Sequence, residues 1–176
     1  IVEKERKRLI SAISSSGHEV IEFDFPDELD QNEPKHDFIF IRDPFISDQN
    51  GTAVILRAGE PQRRVENKIV KIYLESMGMN IVEIPDEKGI RADGGEFYFC
   101  AKDNVLFSGL QRNTRIGADH VAEALNVKEM IILKGDGYHL DTFFTPVINI
   151  DGRISALIIC TSILSNGSKK RLYQFA

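Results

Sequence analysis

Apolar and polar positions follow a recurring order along the chain. A strand pattern, a polar turn, a second strand, an amphipathic helix and a third strand occupy 37–84, and the order returns over 96–133. A third repetition starts at 140. The predicted elements are a helix over 2–13, strands over 18–23, 37–41, 52–57, 80–84, 96–101, 105–108, 129–133, 140–150 and 154–159, and helices over 61–77 and 115–125.

A repeat of this size is typical of propellers and arrays, in which each unit buries its apolar face against its neighbours. We therefore expect one α/β domain over 1–176. Both ends of the chain fall inside a repeat, so we expect a fragment cut within units, with the helix of the last unit beyond Ala176.

Polar residues stand at equivalent places in the repeats. Asp43 follows the first strand pattern, Asp93 precedes the second unit, and His139 and Asp141 open the third. If the repeated units are arranged around an axis, we expect these side chains to converge on one cavity. Carboxylates bind a planar guanidinium bidentately, and a histidine transfers protons. Taken singly, each motif has an ordinary explanation: a turn at Asp43, a loop at Asp93 and a structural role for His139. Arg63 and Arg64 are likewise compatible with a solvated helix face.

Composition narrows the classes of function. The formal net charge of −5 argues against a nucleic-acid partner, and no apolar run is long enough for a membrane span. Cys100 and Cys160 both lie in apolar strand patterns, which predicts buried free thiols and a cytoplasmic protein. The histidines lack the spacing of metal ligands, so we expect no metal.

An ordered set of motifs resembles one superfamily. The motifs are Arg42-Asp43-Pro44, Pro61-Gln62-Arg63-Arg64, Asp93-Gly94-Gly95-Glu96, Ser108-Gly109-Leu110-Gln111-Arg112-Asn113-Thr114 and His139-Leu140-Asp141. Together they are similar to motifs of the amidinotransferase, arginine deiminase and dimethylargininase superfamily. Glu96 stands where that superfamily usually has Asp, and the segment around Arg112 is one residue short.

The resemblance implies a five-bladed α/β propeller (pentein) of ββαβ units, here incomplete. It implies a hydrolase acting on the guanidino group of arginine or a derivative through a Cys thiouronium intermediate, without a cofactor. The partners implied are a small guanidino substrate and, as an open possibility, a second copy of the chain. The alternatives are an amidinotransferase and a non-catalytic member such as a ribosome anti-association factor.

The resemblance also assigns roles to residues. His139 is the expected general acid/base, and Asp93 its acidic partner. Asp43 and Asp141 are expected to hold the guanidinium, and Arg57 or Arg112, with Arg115 as an alternative, to bind the substrate carboxylate. The family's nucleophilic cysteine has no counterpart in this sequence, since Cys160 lies on the second strand of its unit. We therefore expect the chain alone to be inactive.

Overall fold

The computed structural model describes residues 2–24, 26–30 and 37–175. The chain divides into two compact units, Ile1–Pro34 and Lys35–Ala176. In the first unit, helix α1 spans Val2–Ser15 and one helical turn, α2, spans Asp27–Asp30. The expected helix at the N-terminus is confirmed. The predicted strand over 18–23 is wrong, because this segment has no regular secondary structure and pairs with no described strand.

The second unit contains the repeat. Its three sets of elements are β1 (Phe45–Ser47), β2 (Thr52–Ile55), α3 (Arg64–Ser76) and β3 (Asn80–Glu83); β4 (Phe97–Cys100), β5 (Val105–Gly109), α4 (Arg115–Ala124) and β6 (Glu129–Leu133); and β7 (Phe144–Ile148), β8 (Ile154–Ile159) and α5 (Asn166–Phe175).

Each of the first two sets forms a three-stranded sheet with the same topology. β2 pairs antiparallel with β1 and parallel with β3, and β5 pairs in the same way with β4 and β6. The β7–β8 hairpin is antiparallel. Two ββαβ units and a third ββα set therefore follow one another, as the repeat predicted. The helix expected beyond Ala176 is α5, which lies within the chain, and that part of the prediction is wrong.

Local chemistry fixes the boundaries of these elements. Asp48 accepts hydrogen bonds from the amides of Asn50 and Thr52, and Gly51 has a φ of +90°, which closes the β1–β2 hairpin. A 3-10 turn at Pro61–Arg63 leads into α3. Thr114 caps α4 by accepting a hydrogen bond from the amide of Gly117.

One predicted strand, over 37–41, and the start of another, over 140–150, become turns. Residues 37–41 form successive hydrogen-bonded turns, with the Phe40 amide bonded to the Asp37 carbonyl and the Asp43 amide to the Phe40 carbonyl. β1 begins only at Phe45. Leu140–Thr142 is a 3-10 turn, and β7 begins at Phe144. In both segments the backbone groups bond locally instead of to a neighbouring strand.

The first strands of successive units lie side by side. β1 contacts β4, β4 contacts β7, and the 3-10 turns that precede β4 and β7 contact each other. Two apolar clusters, around Leu106 and around Phe107 on opposite faces of β5, hold this arrangement. The turns that enter β1, β4 and β7 are thereby brought together at one end of the strands. No helix in the described part of the chain is long and apolar enough to cross a membrane.

Candidate active site

Three turns meet where the first strands begin. The Gly94 amide donates to the Asp43 carbonyl at 2.9 Å. A Cβ added at Gly94 would lie 2.0 Å from the Arg42 carbonyl oxygen, and one added at Gly95 would lie 2.5 Å from His139 Nδ1. Neither glycine has a positive φ. The pair is therefore required for close approach of the turns and not for an unusual backbone conformation.

The close approach brings four predicted site residues together. His139 Nε2 lies 3.6 Å from Asp93 Oδ1, and its Nδ1 lies 4.0 Å from Asp141 Oδ1. Oxygen or nitrogen atoms of Asp43, Asp93 and His139 lie within 4.8 Å of one another. His139 Nε2 is buried and has no hydrogen-bond partner within the described residues. Its nearest acceptor is Asp93, just beyond hydrogen-bond distance.

Electrostatics favour an ionised Asp93–His139 pair. Burial by itself lowers the pKa of His139, but Asp93, and then Asp43 and Asp141, outweigh burial and raise that pKa. Burial opposes ionisation of Asp93, yet His139 and the Gly95 amide, which donates to Asp93 at 3.1 Å, hold the pKa of Asp93 below its usual range. The carboxylates thus favour the protonated form of a buried imidazole, which is the form that general acid catalysis uses.

Asp43 is already paired with a guanidinium of this chain. Arg63 Nη1 donates to Asp43 Oδ2 at 3.0 Å, and its Nη2 donates to Glu66 Oε2 at 3.0 Å. Arg63 and Glu66 are buried, so the interpretation of Arg63 as a solvated helix residue is wrong. Burial and the charge of Asp93 raise the pKa of Asp43, while Arg63 counteracts both. The three-residue spacing of Arg63 and Glu66 at a helix start is the signal from which this pair was predictable.

Asp141 lies at the rim of the cluster. Its Oδ2 is 3.3 Å from Arg42 Nε, and its side chain is 27% exposed. Arg42 also donates from Nη2 to the Phe97 carbonyl at 2.6 Å and stacks its guanidinium 4.5 Å from the centre of the Tyr98 ring. Arg42 therefore fixes Asp141 against the entrance to β4. The side chains of His139 and Asp141 lie close together, with Nδ1 and Oδ1 4.0 Å apart, but a turn brings them together and not the strand that was predicted.

The candidate arginines differ in their surroundings. Arg112 stacks 4.3 Å from the centre of the Tyr138 ring and lies 3.7 Å from Glu60. It also lines a cavity of about 80 Å³ together with Asp37, Ala58, Gly59, Glu60, Arg63, Arg91 and Asp93. Arg57 is buried, with its guanidinium bonded to Asp86 and to the Ile90 carbonyl. The structure thus places Arg112 in one cavity with Asp93, although Asp43, His139 and Asp141 do not line it, and commits Arg57 to a structural contact.

Glu96 joins two loops at the site. Its side chain is fully buried, and its two oxygens accept hydrogen bonds from the amides of Arg112 at 2.7 Å and Leu140 at 3.1 Å. In the sequence, Glu96 was notable only because the superfamily that its motif resembles usually has Asp at this position. Its contacts depend on loops far apart along the chain, so no local pattern indicated them.

The two thiols lie in different environments. Cys100 is buried, and burial raises its pKa to about 11. Cys160 is exposed, with its sulfur 3.3 Å from Ser162 Oγ, so the prediction that both thiols are buried is wrong for Cys160. Within the described residues, no hydrogen bond joins either sulfur to the acidic cluster.

The cluster also contains a set of possible cation ligands. Asp43, Asp93 and His139 each offer one donor atom to a common point. Arg63 is already paired with one oxygen of Asp43, at 3.0 Å. The expected absence of a metal stays a prediction.

Comparison with known proteins supports the fold. The N-terminal domain of ArgZ, an arginine dihydrolase from cyanobacteria, superposes with a TM-score of 0.67 at 21% identity, over 78% of this chain and 49% of that one. AgrE, in a complex with ornithine and NAD+, gives a TM-score of 0.75 at 20% identity, over 98% of this chain and 24% of that one. The chain therefore shares the fold of these two proteins.

A third structure with this fold is dimethylarginine dimethylaminohydrolase, which matches with a TM-score of 0.52 at 20% identity, over 61% of this chain and 42% of that one. No protein-family model matches the sequence. The chain spans about half the length of the ArgZ domain and a smaller share of AgrE and of dimethylarginine dimethylaminohydrolase. The resemblance of the motifs is confirmed at the level of fold, and the roles of individual residues stay predictions.

Proposed function

We propose that this chain forms the substrate-binding and proton-transfer part of a hydrolase that acts on the guanidino group of arginine or a derivative. The observation that carries the proposal is the convergence of His139 with Asp43, Asp93 and Asp141 at the meeting point of three turns. A guanidinium is planar and cationic, and carboxylates on two sides of it satisfy its N–H donors.

The mechanism divides the work among these residues. Asp43 and Asp141 hold the guanidinium, and a thiolate attacks its central carbon. His139, kept protonated by Asp93, gives its proton to the departing amine, which leaves a thiouronium. His139 then takes a proton from water as the water attacks the same carbon, and the thiolate is released. Neither Cys100, with its raised pKa, nor the exposed Cys160 contacts the cluster, so the chain alone is expected to bind without turnover.

The other end of the substrate is assigned to Arg112. Its guanidinium lines the cavity next to Asp93, and its neighbour Glu60 is 3.7 Å away, too far for a strong hydrogen bond. A substrate carboxylate would offer Arg112 a bidentate partner in place of that contact.

The five-bladed propeller is part of the same proposal, and the ββαβ units with their adjacent first strands support it.

The test is to titrate L-arginine into the chain and follow the His139 ring and the surrounding amides by NMR. Arginine is expected to bind, and L-citrulline, which has the same shape without the charge, to bind at least about tenfold more weakly. Arg112→Ala is expected to lose binding. Arg115→Ala is the matched control, because Arg115 pairs with Asp119 on an exposed helix face. Equal binding of arginine and citrulline, or equal effects of the two substitutions, would contradict the proposal.

A further inference from the structure

Glu96 connects the two loops that carry the two ends of the proposed substrate site. The Arg112 amide, which bonds to Glu96 Oε1, lies in the loop that follows β5. The Leu140 amide, which bonds to Oε2, lies in the turn that enters β7, between His139 and Asp141. One carboxylate therefore ties the loop of the expected substrate-carboxylate ligand, Arg112, to the turn that carries His139 and one expected guanidinium ligand, Asp141.

The surroundings of Glu96 leave it little freedom. A Cβ added at Gly109 would lie 1.7 Å from Glu96 Oε2, so a larger residue at this position would have to displace the carboxylate. Gln111 closes the same loop by accepting from the Leu110 amide and donating to the Gly135 carbonyl. Two hydrogen bonds to backbone amides in a fully buried place have well-defined lengths, so the position of the Glu96 side chain sets the positions of both loops.

We propose that Glu96 is a positioning residue that sets the span between Arg112 and the His139 turn and thereby selects the length of the guanidino acid that binds. The length selection rests on the proposed function, whereas the positioning of the two loops does not. Replacing Glu96 by Asp recesses the carboxylate by one carbon–carbon bond, about 1.5 Å. The two loops then either approach each other or lose one of the two hydrogen bonds.

The selection is tested with three probes that differ by single methylene groups: 2-amino-4-guanidinobutyrate, L-arginine and L-homoarginine. Their dissociation constants are measured for the unmodified chain, Glu96→Asp and Asp48→Asn. Asp48 is the matched control, since it also accepts two backbone amides but lies in the β1–β2 hairpin. Glu96→Asp is expected to shift the preference toward the shortest probe by about tenfold, and Asp48→Asn to leave it unchanged. Equal weakening of all three probes by Glu96→Asp would overturn the selection.

The positioning has a readout that needs no ligand. Hydrogen exchange of the Arg112 and Leu140 amides is measured in the unmodified chain, in Asp48→Asn and in Glu96→Gln, whose side chain offers one acceptor in place of two. At least one of these amides is expected to exchange at least about tenfold faster in Glu96→Gln only. If both stay protected, Glu96 does not position the loops. If the unmodified chain binds none of the three probes, the proposed function fails, and with it the selection, while the exchange result still decides the positioning.

Discussion

Gly95→Ala tests whether the site depends on the close approach of two turns. The added Cβ would lie 2.5 Å from His139 Nδ1, 3.0 Å from its Cγ and 3.1 Å from its Cε1. Ordinary contact begins at 3.4 Å, so the imidazole or the turn has to move by about 0.9 Å. Gly95 does not have a positive φ, so alanine adds no backbone strain and the effect isolates the steric overlap.

The overlap is expected to cost about 1–3 kcal/mol, the usual range for overpacking a close-packed site. For a chain of 176 residues this corresponds to a melting temperature lower by about 3–10 °C. The pKa of His139 is also expected to fall toward its usual range, because the ring is displaced from the carboxylates that raise it. Thermal unfolding measures the first effect, and NMR titration of the His139 ring, assigned by comparison with His139→Gln, measures the second.

The control is the same substitution in a helix. A Cβ at Gly167 in α5 would meet only Ser165 Oγ, at 4.0 Å, so Gly167→Ala is expected to be neutral or stabilising by up to about 1 kcal/mol. The reasoning is refuted if Gly95→Ala is as stable as Gly167→Ala and leaves the pKa of His139 unchanged.

Three other expectations follow from the site. Asp93→Asn is expected to lower the pKa of His139. In the unmodified chain the raised pKa of His139 stabilises the fold below about pH 6.5, and the depressed pKa of Asp93 stabilises it above about pH 4. The free energy of unfolding that Asp93→Asn loses, measured in urea, is therefore largest between these two pH values and shrinks as the pH rises through the pKa of His139. Arg63→Ala leaves Asp43 and Glu66 without their cation and costs about 3–5 kcal/mol, whereas Arg64→Ala stays within about 0.5 kcal/mol; similar losses would contradict the buried network. Iodoacetamide at pH 8 is expected to modify Cys160 in the folded chain and Cys100 only after unfolding, as measured by peptide mass spectrometry. Modification of Cys100 in the folded chain at the rate of Cys160 would contradict its burial.

The sequence predicted elements well wherever an apolar pattern had a partner. Strands over 129–133 and 154–159 have the predicted bounds, because β6 pairs with β5 and β8 with β7. Neither the alternation over 18–23 nor the apolar run over 38–41 gave a strand, and in the second segment Ile39 is 84% exposed. Alternation reports which residues would share a face, but it does not report whether another strand is available to pair with them.

The candidate site was predictable only in part for a similar reason. Asp43, Asp93, His139 and Asp141 occupy equivalent positions of the repeat, so their convergence followed from the repeat itself. The surroundings of Glu96 did not, since the amides of Arg112 and Leu140, from which it accepts hydrogen bonds, lie 16 and 44 residues along the chain. For Arg63, only the pairing with Glu66 had a local signal, whereas Asp43 lies 20 residues away. Arg57 shows the converse: it stands at the end of a strand like the site residues, yet Asp86 and the Ile90 carbonyl hold it.

The organisation of the site separates residues that hold it together from residues that would meet a ligand. Gly94, Gly95 and Glu96 lie inside the contacts between turns, where any change in size moves two turns at once. Arg112 and Asp141 lie at the rim, partly exposed, where a substitution removes a charged group without disturbing a buried contact. Losses of binding at the rim therefore report recognition of the ligand. Losses in the interior report recognition only if stability is measured on the same variant, since a displaced turn changes both.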